Sequence, residues 1–294
     1  VSVPPIRFAK VEALGNDFIV IEASEPPTRR DALARALCDR RRGVGADGLL
    51  IVYSGARGEG GRADAVPVAR VEVWNADGSE AETSGNGLRC AARWIAGRAS
   101  GASPSEIVLE TKAGRARVLL PRGAAGPIRV ALGAPRFRPA EIPMLLPEGK
   151  RGAGDSSDGF VEGRLPGVPF PVTALSVGNP HAVLFVDGPI DGSRLGPLIE
   201  SHAAFPQRVN VEFVRVVAPD HLAVLIWERG VGPTASSGTG AAASLVAAAL
   251  TGRAARRARV EMEGGSLDVG WDDDGVWTEG PARIVFEGEW RESV

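Results

Sequence analysis

Two short turns, Ser84-Gly85-Asn86-Gly87 and Ser237-Gly238-Thr239-Gly240, open strongly apolar segments in the two halves of this 294-residue chain. The arm before each turn repeats as well, since Asn75 lies nine positions before Ser84 (84 − 75) and Glu228 nine before Ser237 (237 − 228). A fixed offset repeated in both halves reads as an internal duplication. Two copies related by a pseudo-twofold axis would set Ser84 and Ser237 on opposite sides of one cleft, which suits chemistry on both faces of one atom. The segments that follow, LRCAARWIA (88–96) and AAASLVAAAL (241–250), are good helix formers with too few polar residues to furnish a solvated face. Both are expected to be buried helices. Their first N–H groups and positive dipole ends would hold an anion such as a carboxylate, and glycines at 85, 87, 238 and 240 would let it come close.

The elements that must position these turns are mostly strands. Alternating or apolar runs predict strands over 6–11, 18–22, 49–53, 68–74, 107–111 and 116–120 in the first half. A helix over 31–40 and the buried helix after Ser84 interrupt them. The second half predicts strands over 128–132, 172–177, 182–186, 210–217, 221–227, 259–263 and 266–271, with its buried helix starting at Ser237. RGAAGP (122–127) reads as the linker between the two blocks, and 150–169 as a surface loop.

Composition narrows the function classes. A length of 294 residues with 44% apolar side chains predicts two domains with sizeable cores. A net charge of −2 offers no basic field for nucleic acid or an anionic membrane. Two cysteines are too few for a disulfide framework, no apolar run reaches membrane-spanning length, and no leader-like segment opens the chain, so a cytoplasmic location is expected. Gly43-Val44-Gly45-Ala46-Asp47-Gly48 matches a dinucleotide fingerprint only formally, because here a helix precedes it and a strand follows. It is better read as a glycine helix stop. No metal-ligand spacing occurs, and no cofactor is expected.

Seven segments, in order, carry a resemblance to a known family. They are FAKVEALGNDF (8–18), RRGVGADGLL (41–50), NADGSEAETSGNGLRC (75–90), SVGNPHAV (176–183), RVNVEF (208–213), ERGVGPTASSGTGA (228–241) and, near the end, EMEGGSLDV with GPARIVFEGE. They span nearly the whole chain, which resembles the diaminopimelate epimerases, cofactor-independent isomerases that interconvert LL- and meso-diaminopimelate on the route to lysine and peptidoglycan. The resemblance implies an α+β fold of two pseudo-symmetric domains, 1–126 and 127–282, each a mixed sheet curled around a central buried helix, with tail 283–294 packing on the first. It implies a small-molecule substrate held between the domains and leaves a homodimer open.

The resemblance also implies roles. Asn75, Asn179, Asn210 and Arg229 would grip the distal amino acid end of the substrate, Asn16 and Glu228 would lie near its reacting end, and the backbone at Gly85, Asn86, Gly238 and Thr239 would bind the proximal carboxylate. His181 would pair with the acid/base residue at 84 and Glu228 with that at 237, while His202 and His221 match no motif and are expected to be structural. At 84 and 237 the family has cysteine, one thiolate removing the α-proton while the opposite thiol delivers another. This chain has Ser84 and Ser237. Three readings follow: an epimerase whose two thiols have been replaced, a family member that uses hydroxyls on this or another substrate, and a non-catalytic amino acid binding protein.

Overall fold

The structure, a computed structural model, describes residues 5–53, 66–82, 84–98, 104–121, 126–146 and 159–291. In chain order its elements are β1 (Ile6–Ala13), β2 (Asn16–Ala23), α1 (Arg30–Cys38), β3 (Gly48–Tyr53), β4 (Val68–Asn75), β5 (Glu80–Ala81), α2 (Gly85–Gly97), β6 (Glu106–Thr111), β7 (Gly114–Leu119) and β8 (Ile128–Gly133). There follow β9 (Phe160–Gly163), β10 (Val172–Ser176), β11 (Pro180–Phe185), α3 (Gly192–Glu200), β12 (Asn210–Ala218) and β13 (His221–Glu228). The chain closes with β14 (Gly232–Thr234), α4 (Gly238–Leu250), β15 (Arg257–Met262), β16 (Gly265–Asp272), β17 (Gly275–Gly280) and β18 (Arg283–Trp290). The fold is α+β. It divides into two compact units, Val1–Val130 with Glu279–Val294, and Ala131–Thr278.

Each unit repeats one topology. In the first, β1 pairs antiparallel with β2, β2 parallel with β3, β3 antiparallel with β4, β4 parallel with β6, and β6 antiparallel with β7. The second repeats this order with β10, β11, β12, β13, β15 and β16. The short strands β5 and β14 take the same place, antiparallel on β4 and β13. Parallel neighbours require crossovers, and the helices supply them: α1 and α2 in the first unit, α3 and α4 in the second. β18 returns to the first unit, antiparallel to β1, with Ile6 opposite Trp290.

The duplicated helices are buried as their composition demands. α2 is buried from Gly85 to Trp94 and packs on β1, β2, β3, β7 and β18; α4 is buried from Gly238 to Ala248 and packs on β10, β11, β12, β13, β15 and β16. Leu245 and Val246 are fully buried, and each such side chain stabilises the fold by about 1.5–3 kcal/mol relative to exposure. Gly252, at φ +71°, ends α4, and the Arg253 N–H donates to the Ala248 carbonyl at 2.8 Å.

Several elements escape the sequence reading. α3 carries Gly192, Gly196 and Pro197, poor helix residues all three, yet it forms because Asp191 Oδ1 caps it by accepting from the Arg194 N–H at 3.2 Å. Gly196 is needed there, since a side chain at that position would run into the Trp227 ring. The surface loop expected over 150–169 is corrected in part: Phe160–Gly163 is β9, paired with β10. The rest of that loop up to residue 158, and 122–125 of the expected linker, lie outside the described residues.

Candidate active site

The two serines make the same cap twice. Ser84 is extended (φ −145°, ψ 119°) and its Oγ accepts from the Gly87 N–H at 3.0 Å; Ser237 (φ −140°, ψ 125°) accepts from the Gly240 N–H at 3.2 Å. The α-helix has no acceptors of its own for its first N–H groups, so those of residues 85, 86, 238 and 239 are the ones an anion would meet. The glycines at the third helical position serve packing. A Cβ at Gly87 would lie 3.2 Å from Ser84 Cβ and 3.3 Å from Leu50, and one at Gly240 would lie 3.0 Å from Glu212 Oε1.

In the first unit Asn16, Gly48 and Asn75 fall at one end of three adjacent strands, because Phe18 pairs with Gly48 and Gly48 with Asn75. Asn16 Nδ2 donates to Asp47 Oδ2 at 2.8 Å, and Asn86 Nδ2 to Asn16 Oδ1 at 3.5 Å. Asn75 instead donates to Ser79 Oγ at 2.9 Å within its own turn. Asp47 belongs to the glycine-rich segment after α1. There Val44 and Gly45 donate to the Leu37 carbonyl, ending the helix and running directly into β3.

Behind Asn16 lies a charge cluster. Arg40 bridges Asp17 and Asp47 at 2.8 Å each, and Lys10 Nζ stands 2.6 Å from Asp17. Burial alone would raise Asp17, but hydrogen bonds from Arg40 and Lys10 and the Lys10 charge outweigh it and hold the carboxyl at about 2. A depressed carboxylate pKa stabilises the fold above its unfolded value of about 3.9 and loses that contribution as pH falls through about 2. Acid unfolding should therefore show about 2 kcal/mol lost between roughly pH 4 and 2, a step absent from Asp17→Asn. Chemical denaturation across that range measures it.

Arg89, one turn into α2, is fully buried. It donates to Asn86 Oδ1 and, at 3.4 Å, to the Pro281 carbonyl. Burial pulls its pKa down to about 10, so it remains a cation at neutral pH. Its charge adds to the positive helix start and holds the Asn86 side chain. The matching position in the second copy, five after Ser237, is Ala242. The sequence reading missed Arg89, and the two arginines, 89 and 93, inside so apolar a helix were the available signal.

The second unit binds its predicted residues into one network. Glu212 Oε1 lies 2.7 Å from His181 Nδ1, and His181 Nε2 lies 2.8 Å from Asn179 Oδ1. Asn179 Nδ2 donates to Thr239 Oγ1 at 3.4 Å, which lies 3.4 Å from Ser237 Oγ. Both ring nitrogens of His181 are thus engaged inside this unit, a use that its expected pairing with position 84 does not include. Burial pushes Glu228 above the ordinary carboxylate range, and a hydrogen bond from Ser237 offsets part of that. Asn210 donates to the Pro180 carbonyl at 2.8 Å and accepts from the Arg229 N–H at 3.0 Å.

Two residues that the sequence reading did not name shape this unit. Glu212 anchors the network, and Glu200, on the unexpected helix α3, accepts from the Gly230 N–H at 2.8 Å and from Trp227 Nε1 at 2.7 Å. It clamps the turn that presents Glu228 and Arg229. Among the described residues no cluster of three His, Cys, Asp or Glu side chains could hold a metal, and no helix is long and apolar enough to cross a membrane.

Comparison with known proteins identifies the family. The family model for diaminopimelate epimerase matches residues 8–137 and 173–285. The diaminopimelate epimerase of Desulforudis audaxviator is 44% identical over 293 residues, covering 97% of this chain and 99% of that protein; that of Synechococcus elongatus is 41% identical, covering 96% and 97%. Among solved structures, a predicted epimerase from Pseudomonas aeruginosa superposes with a TM-score of 0.67 at 16% identity, covering 98% of this chain and all of that one. A probable proline racemase from Agrobacterium radiobacter gives 0.65 at 16%, covering 96% and 92%. At that identity these two share the fold. The near full-length relatives decide the family, and the chain belongs to the diaminopimelate epimerases.

Proposed function

We propose that this chain binds LL- and meso-diaminopimelate at the residues around its two capped helix starts, and that positions 84 and 237 are the paired acid/base positions of a cofactor-independent epimerisation. The observation that carries this reading is the repeated N-cap: the same extended serine, the same third-position glycine, once in each unit of a family member. The N–H groups at Gly85, Asn86, Gly238 and Thr239 take the proximal carboxylate. Asn75, Asn179, Asn210 and Arg229 take the distal end, Asn16 lies by the reacting end, His181 partners 84 and Glu228 partners 237. We place the reaction in the cytoplasm, where thiols such as the buried Cys38 and Cys90 stay reduced.

Serine alters the chemistry far more than the binding. A hydroxyl is a much weaker acid than the cysteine thiol of about 8.5, whereas none of the carboxylate or distal contacts uses sulfur. Calorimetry on the chain as it stands should show saturable binding of LL-diaminopimelate with little meso product. Failure to bind LL- or meso-diaminopimelate would overturn the substrate assignment.

A further inference from the structure

Glu212 sits on β12, a strand buried on both faces over its first five residues, and its side chain is fully buried. Oε1 meets His181 Nδ1 at 2.7 Å, while Oε2 has no hydrogen-bond partner among the described residues. The titratable groups facing it are His181 on β11 and Glu228 on β13, with no lysine or arginine in contact among the described residues. An ionised Glu212 would leave a charged oxygen buried with no protein donor among the described residues, beside the Glu228 carboxyl. A carboxylic acid strands only a carbonyl, which costs far less.

The contacts of His181 fit the same answer. Its Nε2 lies 2.8 Å from Asn179 Oδ1, an acceptor, so Nε2 carries a hydrogen. In a neutral ring Nδ1 then accepts, and the group 2.7 Å away must bring the proton. This holds for the Asn179 amide as it stands, with Oδ1 towards the ring and Nδ2 towards Thr239 Oγ1 at 3.4 Å.

We propose that Glu212 is a neutral carboxylic acid whose O–H donates to His181 Nδ1, locking the ring in its Nε2–H tautomer and making Glu212 a positioning residue for position 237. His181 then donates to Asn179 and Asn179 to Thr239, and the Thr239 hydroxyl is placed to donate to Ser237 Oγ at 3.4 Å. With the Gly240 N–H also donating to that oxygen, the Ser237 proton turns towards Glu228. Burial pushing Glu212 up, only partly offset by His181, agrees with this assignment. The consequence for proton transfer rests on the proposed role of position 237; the buried pair itself does not.

Nitrogen NMR of the histidine-labelled, ligand-free chain tests the pair directly. Only three histidines are present, and His202 and His221 are not buried, so their signals serve as internal references. The expected result at neutral pH is a neutral His181 protonated on Nε2; an imidazolium, or a hydrogen on Nδ1, overturns the proposal. The second readout is rescue. Glu212→Gln supplies an amide N–H in place of the acid O–H and should keep the tautomer, with diaminopimelate binding within roughly tenfold. Glu212→Met leaves Nδ1 without a donor and should mix the tautomers and weaken binding by roughly ten- to a hundredfold. Equal behaviour of the two variants overturns the proposal. Absence of binding by the parent chain would instead sink the substrate assignment, leaving the tautomer to be decided by NMR.

Discussion

Replacing Ser84 and Ser237 together by cysteine is expected to raise the rate of LL-to-meso conversion by orders of magnitude. Abstracting an α-proton needs an anionic base, and the hydroxyl pKa lies several units above the roughly 10 of tyrosine, while a thiol starts near 8.5 and falls further at a helix N-terminus. Both serine oxygens sit at such a terminus, accepting from Gly87 and Gly240 at 3.0 and 3.2 Å. A positioned acid or base contributes on the order of 10²–10⁴ in rate. The two groups act on one proton exchange, one removing and one delivering, so their contributions are not additive. Ser84→Cys or Ser237→Cys alone should therefore recover only a minor part of what the double substitution recovers. Initial rates of meso formation for the three variants measure this. A single variant as fast as the double would show that the positions do not work as a pair.

Discrimination between diaminopimelate and proline is expected to be nearly as large. A site built to hydrogen-bond a polar group can reject an analogue lacking it by roughly 10⁴–10⁵, because its buried polar atoms are left unpaired. Asn210 is buried and already spends its side chain on the Pro180 carbonyl and the Arg229 N–H, so it fixes the arginine backbone as well as the strand. Proline has no distal amino acid group to engage Asn75, Asn179, Asn210 or Arg229. Competition calorimetry should find diaminopimelate tighter by several orders of magnitude, and Arg229→Ala should erode that preference while leaving proline affinity unchanged. Tighter binding of proline would remove the distal assignment.

What the sequence made legible, and what it hid, follows from burial. The starts of α2 and α4 were readable because serine, glycine and an apolar run are local signals, and the repeated offset tied them together. Glu212 was not readable. Period-two alternation reveals which face of a strand is wet, but β12 is buried on both faces from Asn210 to Val214, so a glutamate in its middle carries no periodic signature. For Arg89 the residue type was visible inside an apolar helix, but its contact with the carbonyl at residue 281, far along the chain, was not. α3 was hidden by Gly192, Gly196 and Pro197; at the two glycines Leu225 and Trp227 leave no room for a side chain, against helix propensity. β18 is mostly exposed and lacks an apolar stripe, so only its pairing with β1 defines it.

Deuterium incorporation from heavy water is the most direct test of the account. The Ser84→Cys, Ser237→Cys chain, incubated with LL-diaminopimelate and followed by proton NMR, should place solvent deuterium at the inverted α-carbon as meso product appears, whereas the serine chain should bind the same ligand and exchange very slowly. Fast exchange by the serine chain, or no exchange by the double-cysteine chain despite binding, would contradict the assignment of positions 84 and 237 as the acid/base pair.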